Sequence, residues 1–173
     1  MKKCTLMLLR HGKAVDASDF SWHDRDRSLT PKGREEAKAL GTYVSHLSID
    51  IGVVLSSPSV RTRETLDCFF KSKNMKRVRF EDALYSRGMI FSDPLSAWLD
   101  LIRGIHNDGS ILIVWHNPML TDFAWKLTGD HVPYMKKWSL LILEWKASSW
   151  QEISWGTLDV SAYITPDFLT FVQ

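Results

Sequence analysis

Near its amino terminus the chain reads Thr5-Leu6-Met7-Leu8-Leu9-Arg10-His11-Gly12, an apolar run that stops abruptly at two basic residues. A short apolar run without polar alternation is typical of a strand that is buried on both faces. Strands of this kind belong to parallel sheets that helices cover on both sides. The run therefore predicts a buried first strand that ends at Arg10 and His11.

Strand-like runs and helical patterns alternate along most of the chain. Further apolar runs occupy residues 51–55, 78–80 and 111–114. Each helical pattern opens on a polar residue followed by proline, which is a common start for a helix. These starts are Thr30-Pro31, Ser57-Pro58, Asp93-Pro94 and Asn117-Pro118. The alternation predicts an α/β fold whose sheet is covered on both faces.

Two final apolar runs, Leu140 to Trp145 and Trp150 to Trp155, are separated by a short polar segment and predict an antiparallel hairpin. Such a hairpin would make the otherwise parallel sheet a mixed one. No internal repeat, low-complexity tract or linker interrupts the sequence. We therefore expect residues 1–173 to form a single domain, a three-layer α/β/α sandwich with a mostly parallel mixed sheet.

Composition argues against several classes of function. The formal net charge of +2 is too weak a field to indicate nucleic-acid binding. Cys4 and Cys68 lie far apart, which predicts free thiols in a reducing compartment and neither a disulfide framework nor a zinc site. The first apolar run is too short for a signal peptide, and no run approaches the ~18 apolar residues of a membrane helix. We expect a cytoplasmic protein that binds neither membrane nor nucleic acid.

Three of the predicted strands end in residues suited to chemistry. The first ends in Arg10-His11-Gly12, the second in Ser56-Ser57-Pro58 with Arg61 in the following helix, and a later one in His116-Asn117-Pro118. In open α/β sheets, ligands bind at the carboxyl ends of the parallel strands. We therefore expect two arginines, two histidines and two helix N-termini to meet at one edge of the sheet.

This set of groups suits a phosphoryl group. Guanidinium groups match phosphate oxygens bidentately, and helix N-termini add unpaired N–H donors. A neutral imidazole can attack phosphorus, and phosphoryl transfer otherwise needs mainly positioning and charge stabilisation. No acidic cluster or Walker-type loop in the sequence offers a metal site, so we expect arginines to supply the positive charge without a metal or cofactor.

The motifs that carry this chemistry resemble those of the histidine phosphatase superfamily, whose fold is also called phosphoglycerate mutase-like. Arg10-His11-Gly12 is similar to the opening R-H-G of the family, residues 57–65 to its S-P-x-x-R-A-x-Q-T, and residues 114–118 to its V-G-H-N-P. Within the superfamily the chain is most similar to the SixA-type phosphohistidine phosphatases. That likeness lies in the R-H-G-K-A of residues 10–14 and in a D-x-x-R-x-L-T-x-x-G stretch at residues 24–33.

The resemblance implies a role for each matching residue. His11 would be the nucleophile that becomes transiently phosphorylated. Arg10, Arg61 and His116 would surround the phosphoryl group, with His116 stabilising the developing charge as the imidazolium. Two further residues, Arg27 and Ser18, are candidates for substrate binding in the same pocket.

Three positions depart from the family pattern. The frequent general acid of the family, a glutamate, corresponds here to Ser86, so any acid would have to come from the loop after His11, where Asp16, Asp19, His23 and Asp24 lie. Trp115 stands at a glycine position, where its indole could wall or narrow the pocket. Glu64 replaces the usual glutamine and is expected to pair with a neighbouring arginine.

Three functions remain open from the sequence. The first is hydrolysis of phosphohistidine, for example on a phosphorelay protein that serves as partner and substrate. The second is a small-molecule phosphomonoesterase of the same superfamily. The third, suggested by Ser86 and Trp115, is a non-catalytic binder of phosphate or phosphoprotein, although binding alone would not need a nucleophile. The basic residues 71–79 are either a solvated helix end or a dock for an acidic protein substrate, and the sequence does not indicate an oligomeric state.

Overall fold

The structure, a computed structural model, describes residues 3–17, 24–47, 49–70, 78–85, 93–106, 109–130, 132–146, 149–165 and 167. Within these residues six strands form one sheet: β1 (Lys3–Arg10), β2 (Ile51–Ser56), β3 (Val78–Phe80), β4 (Ser110–Trp115), β5 (Leu140–Lys146) and β6 (Asp159–Ile164). Their order across the sheet is β3-β2-β4-β1-β5-β6.

The sheet is mixed, and its parallel part carries the site motifs. Strands β1 to β4 run parallel to one another, whereas β5 is antiparallel to β1 and β6 is antiparallel to β5. Strand β1 pairs with β4 on one side and β5 on the other, so it lies away from both edges. Arg10 ends β1 directly beside Trp115, which ends β4, and this register brings their carboxyl-terminal extensions together.

Helices cover both faces of this sheet. They are α1 (Pro31–Ser45), α2 (Val60–Phe70), α3 (Pro94–Arg103) and α4 (Met119–Thr128). Side chains alternate across β1: Leu6 and Leu8 belong to the core that packs on α3 and α4, whereas Met7 and Leu9 belong to the core that packs on α1 and α2. The predicted three-layer α/β/α sandwich is thus confirmed, and the uniformly apolar run of β1 is explained by burial on both faces.

The predicted strand over Trp150 to Trp155 is wrong, because that segment opens with a 3₁₀ turn at Trp150–Glu152. The Trp150 indole is fully buried, and its N–H donates to the carbonyl oxygen of Gly109 at 3.0 Å. Trp150 therefore anchors the turn and is not part of a β-strand. The antiparallel partner of β5 is β6, an edge strand whose first three residues are exposed. An edge strand with few buried side chains gives a weak apolar pattern in the sequence.

Two of the four predicted helix starts are confirmed and two are displaced, since α4 begins at Met119 and has no side-chain cap from Asn117. The hydroxyl of Thr30 accepts a hydrogen bond from the Gly33 N–H at 3.1 Å, and the Asp93 carboxylate accepts from the first turn of α3. Helix α2 instead begins at Val60, two residues beyond Pro58, which leaves the Ser57 side chain available to the site described below. No helix in the described part of the chain is long and apolar enough to cross a membrane.

Candidate active site

His11 lies immediately after β1 and is fixed by its backbone on two sides. Its N–H donates to the Trp115 carbonyl oxygen at 3.2 Å, and its own carbonyl oxygen accepts from the Trp138 N–H at 3.1 Å. The side-chain Nδ1 lies 2.7 Å from the Gly12 carbonyl oxygen. Because a carbonyl oxygen can only accept, Nδ1 carries the hydrogen and Nε2 retains a lone pair. The imidazole is thereby held in the tautomer that a nucleophile needs.

The protonation state of His11 follows from its surroundings. Only 9% of the residue is exposed, and burial followed by the charge of Arg61 lowers the pKa of His11 to about 3. Desolvation and like charge both disfavour the imidazolium. His11 is therefore neutral at neutral pH, and its Nε2 lone pair is not blocked by a proton.

His116 follows β4 and lies beside His11. The two imidazole centroids are 5.1 Å apart, and Nε2 of His116 lies 2.7 Å from the hydroxyl of Ser57. Burial, with the neighbouring His11 and Arg61, lowers the pKa of His116 to about 2. The imidazolium role that the sequence predicts for His116 therefore requires the negative charge of a bound phosphoryl group to raise that pKa.

Arg61 projects from the first turn of α2 and is only 6% exposed. Its two terminal nitrogens donate to Asp24: one to the backbone carbonyl oxygen and the other to Oδ2 at 2.8 Å. Burial acts to raise the pKa of Asp24, but hydrogen bonds and charge from Arg27 and Arg61 outweigh it and lower that pKa to about 2. Asp24 is thus ionised at neutral pH and cannot donate a proton there.

Arg10, the last residue of β1, reaches the loop before β5. Its Nη1 donates to the Met135 carbonyl oxygen at 2.8 Å, and its guanidinium lies 5.7 Å from the centroid of the Tyr134 ring. Burial lowers the pKa of Arg10, and the nearby tyrosines partly oppose that shift. Buried Nε of Arg10 and Nδ1 of His116 have no hydrogen-bond partner within the described residues. Both are donors or acceptors of the kind that a phosphoryl group would engage.

Close backbone packing holds the loop that begins at His11 in place. A Cβ on Gly33 would lie 2.2 Å from the Lys13 carbonyl oxygen, and a Cβ on Gly12 would lie 2.8 Å from the Gly33 carbonyl oxygen. Glycine is required at both positions because α1 approaches the loop so tightly. The Gly12 N–H also donates to the hydroxyl of Thr65, one helical turn after Arg61 on α2. Helices α1 and α2 together therefore position the loop that carries His11.

The two candidate substrate-binding residues have different outcomes. The Arg27 guanidinium donates through Nε and Nη2 to the Val15 carbonyl oxygen and through Nη1 to Asp24 at 2.8 Å. Arg27 thus reaches the site through Asp24, and substrate binding by Arg27 stays a prediction. Ser18 lies outside the described residues.

Of the three positions that depart from the family pattern, the structure describes Trp115 and Glu64. Trp115 does not wall the pocket, because its indole is buried in the core against Trp98 on the α3 side of the sheet. Glu64 pairs with Arg34 at 2.6 Å, as predicted, and also accepts from the Leu29 N–H. Asp16, another possible acid, is exposed, and its role stays a prediction. Other predicted residues lie outside the described ranges: Ser86, Asp19, His23 and most of the basic stretch 71–79.

Three contributors to the site were not predicted from the sequence. All three stand in the motifs that carry the family resemblance, but the sequence suggests a chemical role only for Asp24, as a possible acid. Ser57 is expected to cap a helix, and no role is predicted for Thr65. A partial signal for Thr65 exists, since it follows Arg61 by four residues and so shares its helix face. Among the described residues, no group of three or more histidine, cysteine, aspartate or glutamate side chains is arranged to hold a metal ion.

The chain belongs to the histidine phosphatase superfamily (branch 1), whose family model matches residues 6–89. An uncharacterized protein of Mycobacterium leprae is 33% identical over 125 residues, which make up 70% of this chain and 72% of that protein. Membership of this family supports a phosphatase enzyme.

The fold is phosphoglycerate mutase-like and of the SixA type. SixA from Nakamurella multipartitia superposes with a TM-score of 0.78 at 24% identity, covering 96% of this chain and 98% of that one. A structure of the protein histidine phosphatase SixA in complex with tungstate gives a TM-score of 0.77 at 19% identity, covering 95% and 99% of the two chains.

Proposed function

We propose that this protein hydrolyses phosphohistidine through a covalent phosphorylated intermediate on His11. The observation that carries the proposal is the hydrogen bond from His11 Nδ1 to the Gly12 carbonyl oxygen, which leaves Nε2 as a neutral nucleophile. Arg10, Arg61 and His116 supply the groups that would hold the phosphoryl oxygens. The SixA proteins that share this fold, one of them named a protein histidine phosphatase, support the choice of substrate.

The reaction balances in two displacements. In the first, the Nε2 lone pair of His11 attacks phosphorus, the N–P bond of the substrate breaks, and the departing imidazole nitrogen takes a proton from solvent. In the second, water attacks the phosphorus on His11, its N–P bond breaks, and orthophosphate leaves while Nε2 regains its lone pair. The arginines stabilise charge on the equatorial oxygens in both steps, so the proposal includes no metal ion.

The choice of a phosphoramidate rests on the leaving group. An alkyl phosphate expels an alkoxide that needs a positioned acid, which contributes ~10²–10⁴-fold in rate. Asp24, the carboxylate that touches the described site, is ionised and occupied by Arg61 and Arg27. A phosphohistidine nitrogen can instead be protonated by solvent and leave as neutral imidazole.

The test compares kcat/KM for three substrates under one set of conditions at neutral pH, with EDTA present and absent. We expect phosphohistidine to be turned over fastest, p-nitrophenyl phosphate more slowly and glycerol phosphate far more slowly, with no effect of EDTA. Acid-labile, base-stable phosphate should be trapped on the wild type and be absent from His11→Ala. Equal rates for glycerol phosphate and phosphohistidine would refute the substrate assignment and favour a phosphomonoesterase. The absence of any turnover would favour a non-catalytic phosphate binder.

A further inference from the structure

A basic groove of about 450 Å³ adjoins the candidate active site on the side of Arg10. The groove is lined by five cationic side chains, one carboxylate and two aromatic residues: Arg10, Lys13, Lys32, Lys136, Lys137, Glu36, Tyr134 and Trp138. The whole chain has a formal net charge of only +2. Positive charge is therefore concentrated in this groove and is not a property of the surface in general.

Part of this charge is not neutralised by neighbouring residues. Lys32 lies 3.7 Å from Glu36, and Lys136 pairs with Asp167 at 2.8 Å. Neither Lys13 nor Lys137 has an ion pair within the described ranges, and both are exposed. The groove thus presents at least two lysines that a soluble anion could reach.

The groove is built from three segments that the backbone fixes together. The Thr30 N–H donates to the Lys13 carbonyl oxygen at 2.8 Å, which joins the loop after His11 to the start of α1. The loop of residues 135–139 is joined to the same loop and to β1, because the Trp138 N–H donates to His11 and the Arg10 N–H to Ser139. The basic side chains are therefore displayed on a preformed frame.

Trp138 shows that this frame holds an unfavourable backbone conformation. Its φ of 45° lies in the left-handed region, which a bulky residue rarely adopts. Such conformations persist where surrounding contacts impose them, and they cluster at functional sites. Here the contacts are the hydrogen bond from the Trp138 N–H to His11 and that from the Ser139 N–H to Lys136, and they close the turn whose Lys136 and Lys137 line the groove.

The groove adjoins His11 through Arg10. Arg10 belongs to both regions, and the charge of Lys137 is among those that lower the pKa of His11. Tyr134, which is 57% exposed, adds an aromatic surface beside the Arg10 guanidinium. A simple phosphate ester such as glycerol phosphate has no second anionic group to contact these lysines. A phosphorylated protein would extend beyond the phosphoryl pocket and across the groove.

We propose that the groove docks an acidic segment of the phosphorylated protein substrate, with carboxylates next to the phosphorylated side chain contacting Lys13 and Lys137. This inference rests on the proposed phosphatase activity and adds a requirement for acidic flanking residues. Charge complementarity of this kind acts mainly on the association rate and weakens as salt screens it.

The test uses two synthetic phosphohistidine peptides that differ only in their flanking residues, glutamate in one and glutamine in the other. We expect the wild type to have a higher kcat/KM for the glutamate peptide, and the preference to shrink as ionic strength rises. The double variant Lys13→Glu, Lys137→Glu should lose at least ~10-fold in kcat/KM for the glutamate peptide relative to the glutamine peptide. Lys146→Glu is the matched control, because this exposed lysine ends β5 beside Lys3, at the opposite end of β1 from Arg10.

Equal kcat/KM for the two peptides in the wild type, or an equal preference in wild type and double variant, would overturn the inference. A second readout separates this failure from failure of the proposed function. The unphosphorylated glutamate peptide should inhibit hydrolysis of p-nitrophenyl phosphate more strongly than the glutamine peptide does, whether or not phosphohistidine is a substrate. If the two peptides inhibit equally, the proposed docking of an acidic segment in the groove is wrong. If the glutamate peptide inhibits more strongly but phosphohistidine is not turned over, only the assigned substrate is wrong.

Discussion

Asp24 occupies both terminal nitrogens of Arg61, one through its backbone carbonyl oxygen and one through its carboxylate. The same N–H groups are the ones that the proposed mechanism assigns to phosphoryl oxygens. A bound phosphoryl group would therefore have to displace the carboxylate of Asp24 or share Arg61 with it. This relationship makes Asp24 an internal competitor for the substrate anion.

Removing the negative charge of Asp24 should strengthen the binding of phosphate. The variant Asp24→Asn keeps the shape of the side chain but removes one negative charge from the guanidinium of Arg61. We expect the inhibition constant for orthophosphate to fall by roughly tenfold, an estimate reduced for solvent screening because Asp24 is half exposed. Asp26→Asn in the same 3₁₀ turn is the control. Weaker phosphate binding by Asp24→Asn would show that Asp24 positions Arg61 and does not compete.

Arg61 should not tolerate lysine. A guanidinium can grip two oxygens at once, whereas an ammonium keeps the charge but loses the planar fork. We expect both Arg61→Lys and Arg61→Ala to lower kcat/KM by ~10²–10³-fold, the usual effect of removing one transition-state donor. Arg63→Lys, which changes an exposed arginine of the same helix, is the control for folding and should retain activity. Full activity of Arg61→Lys would mean that net charge alone matters at this position.

The buried histidines should make folding stability depend on pH. Burial lowers the pKa of His11 to about 3, while in the unfolded chain histidine titrates near 6.5. Between these values the unfolded state binds a proton that the folded state does not, so the free energy of unfolding falls as pH decreases from about 6.5. The slope for one such group approaches ~1.4 kcal/mol per pH unit.

Urea unfolding of the wild type and of His11→Gln between pH 4 and pH 8 measures this effect. Below pH 6.5 the free energy of unfolding of the variant should fall less steeply with decreasing pH than that of the wild type. The difference between the two slopes should correspond to at most one bound proton. His46→Gln, at the exposed end of α1, is the matched histidine replacement. Identical slopes for His11→Gln and the wild type would contradict a lowered pKa of His11 in the folded protein.

Trp115 should matter for stability and not for shaping the pocket. Its indole is 3% exposed and packs against Trp98 in the core. We expect Trp115→Ala to lower the free energy of unfolding by ~3–5 kcal/mol, the usual cost of removing a large buried aromatic side chain. Trp125→Ala, at a position 36% exposed, should cost less. The measurement is urea unfolding, and a rise in KM for the folded Trp115→Ala fraction without loss of stability would contradict this assignment.

The sequence predicted the parallel strands, and the meeting of strand ends that follows from them, because both depend on local patterns. Apolar runs identify buried strands, and parallel strands then bring Arg10, His11 and His116 to one edge regardless of loop details. What the sequence did not show depends on tertiary contacts. Ser57 forms a hydrogen bond with His116 from another strand end, and Asp24 meets Arg61 across 37 positions of sequence. Strand β6 was missed because an exposed edge strand lacks the apolar run by which inner strands are recognised.

The position of β1 between β4 and β5 has a consequence for how this protein loses function. The amide and carbonyl of His11 extend the hydrogen-bonded ladder beyond the strand, through Trp115 and Trp138. Amides held in the middle of a sheet exchange with deuterium mainly when the whole domain opens, whereas termini and edge strands exchange by local fraying. We therefore expect the His11 amide to exchange slowly, and fraying of the edge strands β3 or β6 to leave the backbone contacts of His11 in place.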